Sequence, residues 1–202
     1  NHKLTVIAAG GDGDGYDEGT NHLIHCARRN VNITYIVHNN QVFGLTKGQT
    51  SPTSDPGFKT GTSPWGAREQ PVNPIALAIS ARASFVARGF AADMPHCAEL
   101  IKKAMDHDGF AIVDILQPCV TFNHTNTYDW YNKRIYKIGP EEKGKGNHDP
   151  ADKIAALTRS QEWGEKIPIG IFYQERRPYF GEQLPQLKKS ALVDKKLEKI
   201  DI

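Results

Sequence analysis

Gly10-Gly11-Asp12-Gly13-Asp14-Gly15 is the stretch from which the rest of the chain is read. It follows an apolar run, Leu4-Thr5-Val6-Ile7-Ala8-Ala9, that predicts a buried strand. A helical segment follows, from about Thr20 to Arg29, and then a second apolar run, Ile33-Thr34-Tyr35-Ile36-Val37, that ends at His38-Asn39-Asn40. Strand, crossover helix and strand make a βαβ unit of about 30 residues. Its strands are parallel, so both C-terminal ends lie on the sheet edge where open α/β folds bind ligands. Asp12 and Asn40 are therefore expected to be neighbours.

The residue types suit a particular chemistry. Glycines let backbone N–H groups approach an oxyanion closely. A loop built only for phosphate would avoid a carboxylate, whereas Asp12 is useful if a divalent cation sits between it and a diphosphate. Mg²⁺ takes oxygen ligands and commonly combines one or two protein groups with phosphate oxygens. Asp12, the Asn40 amide and the backbone carbonyl of Val42 are the candidate ligands. A dinucleotide fingerprint fails because the third glycine position holds Tyr16, and an EF-hand loop starting at Asp12 fails at Asp17 and Leu23. A plain strand-to-helix turn with solvated aspartates stays open on the loop alone.

Gly11-Asp12-Gly13 followed by Asn39-Asn40 resembles the diphosphate and Mg²⁺ motif of thiamine diphosphate enzymes. The longer string is more specific: Asn21-His22, Arg28-Arg29-Asn30, Asn39 through Gln49, Ser51-Pro52-Thr53-Ser54 and Leu116 through Asn123. Together these resemble the β subunit of 2-oxoacid:ferredoxin oxidoreductases over about Leu4 to Asn123. The resemblance implies a thiamine diphosphate-binding fold and an oxidative decarboxylation that passes electrons through a [4Fe–4S] cluster to ferredoxin, with coenzyme A taking the acyl group. The 2-oxoacid is pyruvate or 2-oxoglutarate. It implies that Gly11, Asp12, Gly13, Asp14, Asn40, Val42, Gly44, Leu45 and Thr46 face the cofactor, with Leu45 and Lys47 on the substrate side. It also implies that Cys119 is the fourth cluster thiolate, and that the active site is completed by an α subunit; γ or δ chains are compatible with the pattern.

Composition narrows the class. The 202 residues carry 25 basic and 23 acidic side chains, a net charge of +2, and no basic stripe alternates with aromatics, so no nucleic-acid partner is expected. No apolar run approaches the roughly 18 residues of a membrane span. Three scattered cysteines suggest a reducing, cytoplasmic compartment. Asn1-His2-Lys3 leads at once into a strand, which reads as a chain starting partway through a domain. The resemblance puts a Cys-x-x-Cys pair and one further cysteine upstream.

The alternation of strands and helices predicts an α/β fold, a parallel sheet with helices on both faces. Residues 1–123 read as the diphosphate-binding domain and 124–202 as an extension on that domain or on a partner subunit. Gln41 to Asn73 is expected to be a long ordered loop. Helices are expected at Pro74 to Ala83, with Asn73 as cap, at Pro95 to His107, and from an Asp149-Pro150 cap to about Arg159. Cys26 and Cys97 read as core filler. Pro168 to Tyr173 reads as an edge strand, and Gln186 to Ile202 as a tail or docking helix. Two rival functions stay open: a non-redox thiamine decarboxylase or carboligase, and a non-catalytic phosphate-binding module.

Overall fold

The computed structural model describes residues 4–188 and 190–194. Strand β1 (Ile7–Gly11), helix α1 (Thr20–Arg29) and strand β2 (Ile33–Asn39) form the expected βαβ unit. β1 starts at Ile7 rather than Leu4 and is not the buried strand expected: it is an edge strand of the sheet, paired among the described residues only with β2, and Ile7, Ala8 and Ala9 are exposed. β1 and β2 are parallel, with Gly11 opposite His38, so the two C-termini do share one edge. Between β1 and α1 the chain makes one turn of π-helix, Asp14–Glu18, closed by Gly19 N–H donating to the Asp14 carbonyl over 2.6 Å.

The sheet continues from β2 to β6 (Phe110–Leu116) and then to β5 (Phe85–Phe90), all parallel. Two strands from the C-terminal part complete it. β8 (Ile167–Gln174) runs antiparallel to β5, and β7 (Ile135–Ile138) lies outside β8, giving the order β1-β2-β6-β5-β8-β7. The Pro168-to-Tyr173 segment is therefore an interior strand, not an edge. A proline lacks the N–H a ladder needs, but the β5–β8 register runs only from Gln174 to Gly170 on the β8 side. Pro168 lies beyond it and costs β5 no bond.

Period-2 alternation sorts the strand residues onto two faces. On one face Val37, Val86 and Ile112 meet Leu23 and Ala27 of α1, Ile75 and Ile79 of α2 (Pro74–Ser80), and Ala156 of α5 (Lys153–Ser160). On the other, Phe85, Ala87, Ala111 and Val113 pack on Leu100 and Ala104 of α3 (Met94–Met105). Cys97 packs in this second cluster, and Cys26 lies against the first. Phe90, Leu116, Ile167 and Ile169 surround Tyr131 of α4 (Tyr128–Asn132).

The helix boundaries follow their caps. Asn73 Oδ1 accepts from Ala76 N–H at the start of α2. α5 is capped by Asp152, which accepts from Ile154 and Ala155 N–H, rather than by Asp149, which folds back on Ala151 N–H. The expected long loop after Asn40 contains a small antiparallel ribbon, β3 (Val42–Phe43) with β4 (Gln49–Thr50). Of the lysine-rich end, only short 3₁₀ turns at Pro185–Leu187 and Leu192–Asp194 fall among the described residues.

Asn30 ties the far end of this architecture together. It ends α1 in the left-handed region at φ 54° and is fully buried. Its Oδ1 accepts from Ser84 Oγ at 2.6 Å and Phe110 N at 2.9 Å, and its Nδ2 donates to the carbonyls of Arg177 and Pro178. Because the one Ser84 proton goes to Asn30, the His107 Nε2 at 2.8 Å must be the N–H that donates to Ser84 Oγ. Burial holds His107 below the ordinary histidine range, and the half-buried His96 is lowered mainly for the same reason. A depressed histidine contributes stability that is complete above its unfolded pKa and is lost as pH falls through the folded one. Urea denaturation should thus show less stability at about pH 5.5 than at about pH 7.5, and His107→Gln should flatten that difference.

Candidate functional site

The edge formed by the ends of β1 and β2 carries a buried carboxylate. Asp12 is 1% exposed. The backbone N–H of Asn40 donates to its Oδ1 at 3.3 Å, and the hydroxyls of Ser51 and Thr53 donate to its Oδ2 at 2.6 and 2.7 Å. Burial raises the Asp12 carboxyl above its ordinary range, and the two hydroxyls and the Asn40 amide oppose that rise. Among the described residues no lysine, arginine or histidine pairs with it. A buried anion met only by hydroxyl and amide donors suits a hard cation, which prefers oxygen ligands.

Each loop contributes for a local reason. Gly13 has an ordinary right-handed helical backbone, φ −65°. It must be glycine because a Cβ there would lie 2.1 Å from the Phe43 ring of β3. The Asp14 side chain, exposed, folds back toward Gly10 and Gly11. Asn40 Oδ1 accepts from Val42 N–H at 3.1 Å, an Asx turn that fixes the Asn40 side chain at the end of β2.

Gln41 is a site residue to which sequence reading assigned no role. Its backbone is left-handed at φ 59°, a strained state for a side chain with a Cβ, and it is 2% exposed. Three short hydrogen bonds hold it there, with a longer one from Nε2 to Asp55 Oδ1 at 3.4 Å. Nε2 donates to the Thr53 carbonyl, Oε1 accepts from Tyr131 hydroxyl, and its own carbonyl accepts from Ser54 Oγ, each at 2.7 Å. The turn that aims Asn40 and Val42 is thus gripped from the Ser51–Ser54 segment and from α4.

The remaining expected residues are placed less closely. Gly44, Leu45, Thr46 and Lys47 form the tip of the β3–β4 hairpin, closed by Lys47 N–H to Gly44 O and Gly48 N–H to Phe43 O. Leu45 is 100% exposed. Among the described residues Thr46 and Lys47 have no side-chain hydrogen bond or ion pair to the Asp12 turn. The tip is anchored to the site edge but not folded onto it.

Cys119 is half-buried and unpaired, in the loop after β6. That loop is stitched to the same edge: Gln117 N–H donates to Asn39 O, and Asn123 Nδ2 donates to Asn40 O at 3.2 Å. The Phe122 ring lies against Gly48. Among the described residues no group of three His, Cys, Asp or Glu side chains is placed to hold a metal. Two charged side chains also lie inside the apolar strands β5 and β6. Arg88 and Asp114 form a buried ion pair at 3.1 Å, and Asn39 Nδ2 donates to Asp114 at 3.1 Å.

Comparison with known proteins agrees with this geometry. Residues 1–115 match the family model of the C-terminal TPP-binding domain of thiamine pyrophosphate enzymes. Residues 119–189 match that of the C-terminal part of the pyruvate ferredoxin oxidoreductase beta subunit. A 2-oxoacid:ferredoxin oxidoreductase subunit beta from Saccharolobus solfataricus is 49% identical over 179 residues, covering 86% of this chain and 59% of that protein. The 2-oxoglutarate synthase subunit KorB of Methanothermobacter marburgensis is 34% identical over 204 residues, covering 100% of this chain and 67% of that protein. Among solved structures, a 2-oxoglutarate:ferredoxin oxidoreductase from Magnetococcus marinus, with 2-oxoglutarate, coenzyme A and succinyl-CoA bound, superposes with a TM-score of 0.83 at 42% identity. The match covers 89% of this chain and 60% of that one. The chain therefore spans about six tenths of the length of several of the proteins it matches.

The packing of Phe43 on the glycine turn is open to test. Gly13→Ala should destabilise the chain by about 1–3 kcal/mol through overpacking. Adding Phe43→Leu, which shortens the opposing ring, should recover most of that loss in chemical denaturation.

Proposed function

Because this chain belongs to the β subunits of the 2-oxoacid:ferredoxin oxidoreductases, a group of thiamine pyrophosphate enzymes, we propose that it anchors thiamine diphosphate through Mg²⁺ for oxidative decarboxylation of a 2-oxoacid. Thiamine diphosphate supplies the carbanion chemistry that releases CO₂, and the protein supplies binding and orientation. The observation that carries this reading is the buried Asp12 carboxylate. It sits where two parallel strands end and is satisfied by hydroxyls and an amide rather than by a cationic side chain.

Asp12 and the Asn40 side chain provide two oxygens on one edge, and the Val42 carbonyl is the third candidate. The Asx turn at Asn40 and the grip on Gln41 hold this donor set before any cation arrives. Preorganisation of this kind lowers the ordering cost of binding. Gly11, Gly13 and Asp14 border the diphosphate position. The exposed hairpin tip, Gly44 through Lys47, is read as the part that meets the cofactor ring, the substrate or the α subunit. Leu45 at that tip is fully exposed and so open to contact. We read residues 1–123 as the diphosphate-binding part and 124–202 as an extension that packs on it, through β7, β8 and α4, or on a partner subunit.

Cys119 is read as one thiolate of a [4Fe–4S] cluster, since such clusters take four cysteines and its loop is tied to the cofactor edge. Such a cluster would supply the one-electron path to ferredoxin, and coenzyme A would be the acyl acceptor. No helix of the described residues is long and apolar enough to cross a membrane, and a cytoplasmic place for the complex is part of the proposal. The solved relative binds 2-oxoglutarate, and the same substrate class is proposed here.

Two measurements test the proposal. Calorimetric titration of the chain with thiamine diphosphate should show binding only when Mg²⁺ is present, and Asp12→Ala should abolish it. Unchanged affinity in that variant sinks the assignment and leaves a plain phosphate-binding module. In the assembled enzyme Cys119→Ser should reduce the broad visible absorbance of the cluster. A complex without iron would instead point to the non-redox thiamine chemistry.

A further inference from the structure

Arg88 and Asp114 stand opposite each other in adjacent central strands and are 2% and 0% exposed. A buried ion pair is weak evidence of stability, because desolvation offsets the attraction and an apolar pair often does as well. Its arrangement suggests another use. Asp114 Oδ2 accepts from Arg88 Nε at 3.1 Å, while Oδ1 accepts from Tyr16 hydroxyl at 3.0 Å and Asn39 Nδ2 at 3.1 Å.

A carboxylate only accepts, so Asn39 must turn its amide nitrogen toward Asp114. That leaves Asn39 Oδ1 facing the other way, 3.0 Å from Thr53 Oγ1. Thr53 has one hydroxyl proton and three acceptors in reach: Asp12 Oδ2 at 2.7 Å, Asn39 Oδ1 at 3.0 Å and, more distantly, Ser51 Oγ at 3.3 Å. Ser51 Oγ also donates to Asp12 Oδ2. When a cation draws on Asp12, Thr53 can turn its proton to Asn39 and no acceptor is stranded. The Arg88 guanidinium lies over the Trp163 and Phe172 rings, its Nη1 is buried without a hydrogen-bond partner among the described residues, and the residue lines a cavity of about 320 Å³ together with Asn39, Gln41 and Thr53.

We propose that the Arg88–Asp114 pair is a positioning device for Asp12. It sets the Asn39 amide and so makes the Thr53 hydroxyl a donor that Asp12 can release to a metal ion. The proposal rests on the reading of Asp12 as a cation ligand. Neither Arg88 nor Asp114 touches the cofactor position; both act through Asn39 and Thr53.

The test uses two independent breaks in this chain of bonds. Asn39→Ala cuts the link and leaves the ion pair intact. Arg88→Met with Asp114→Leu removes the pair and leaves no charge unpaired. In each, the Mg²⁺ concentration supporting thiamine diphosphate binding should rise about 10–100-fold, the usual effect of losing an outer-shell partner of a metal ligand. Hydrogen exchange of the Asn40 amide, which donates to Asp12, should accelerate about tenfold while the central-strand amides of Val86 and Ile112 keep their wild-type rates. Arg88→Lys, which keeps a cation beside Asp114, should restore the slow Asn40 exchange. Wild-type exchange at Asn40 in both variants overturns the proposal, as does equal acceleration at all three amides, the mark of general loosening. If the wild-type chain binds no thiamine diphosphate with Mg²⁺, the cofactor reading fails, and the exchange data still decide whether the pair positions Asp12.

Discussion

A carboxylate removed from water without a positive partner organises this protein's functional edge. Burying an isolated anion is so unfavourable that such groups are neutralised, paired or hydrogen-bonded. Asp12 meets that demand with two hydroxyls and one backbone amide, all delivered by segments that follow it in the chain. The segment from Asn39 to Ser54 is shaped around this need. Ser51 and Thr53 reach Oδ2, Asn40 presents its N–H to Oδ1, and Gln41 takes a strained backbone so that its neighbours can do so.

The parallel βαβ unit makes this possible by bringing the ends of two strands to the same rim. The same rule of parallel pairing brings the end of β6 there too, so the Cys119 loop joins the edge through Asn39, Asn40 and Asn123. Residues after Asn123 then reinforce the arrangement. α4 sends the Tyr131 hydroxyl to Gln41, and Trp163 Nε1 donates to Asp55, which also accepts from Asn126. The C-terminal part is therefore built into the architecture of the site as well as into the sheet.

The hairpin tip shows the opposite character. Its base is packed, with Phe43 on Gly13 and Phe122 on Gly48, while Leu45 stands fully in solvent. The ordered turn around Asp12 thus lies beside an apolar tip that the described residues leave uncovered. This agrees with membership of a family of oxidoreductase β subunits.

The first strand, the glycine turn, α1, the Asn-Asn strand end and the alternation that makes an α/β sheet were legible in the sequence, because hydrophobic period, turn residues and caps act locally. So was the neighbourhood of Asp12 and Asn40, which follows from parallel pairing alone. Tertiary structure decided what depends on partners distant in the chain. It moved the Pro168 strand from an edge to the interior, because β7 pairs along its outer side. It made Asp152 rather than Asp149 the cap of α5. It joined Arg88, Asp114, Asn39 and Thr53 into one buried chain of bonds to Asp12. Local patterning shows that a charge lies in an apolar strand; only the register between strands shows which charge faces it.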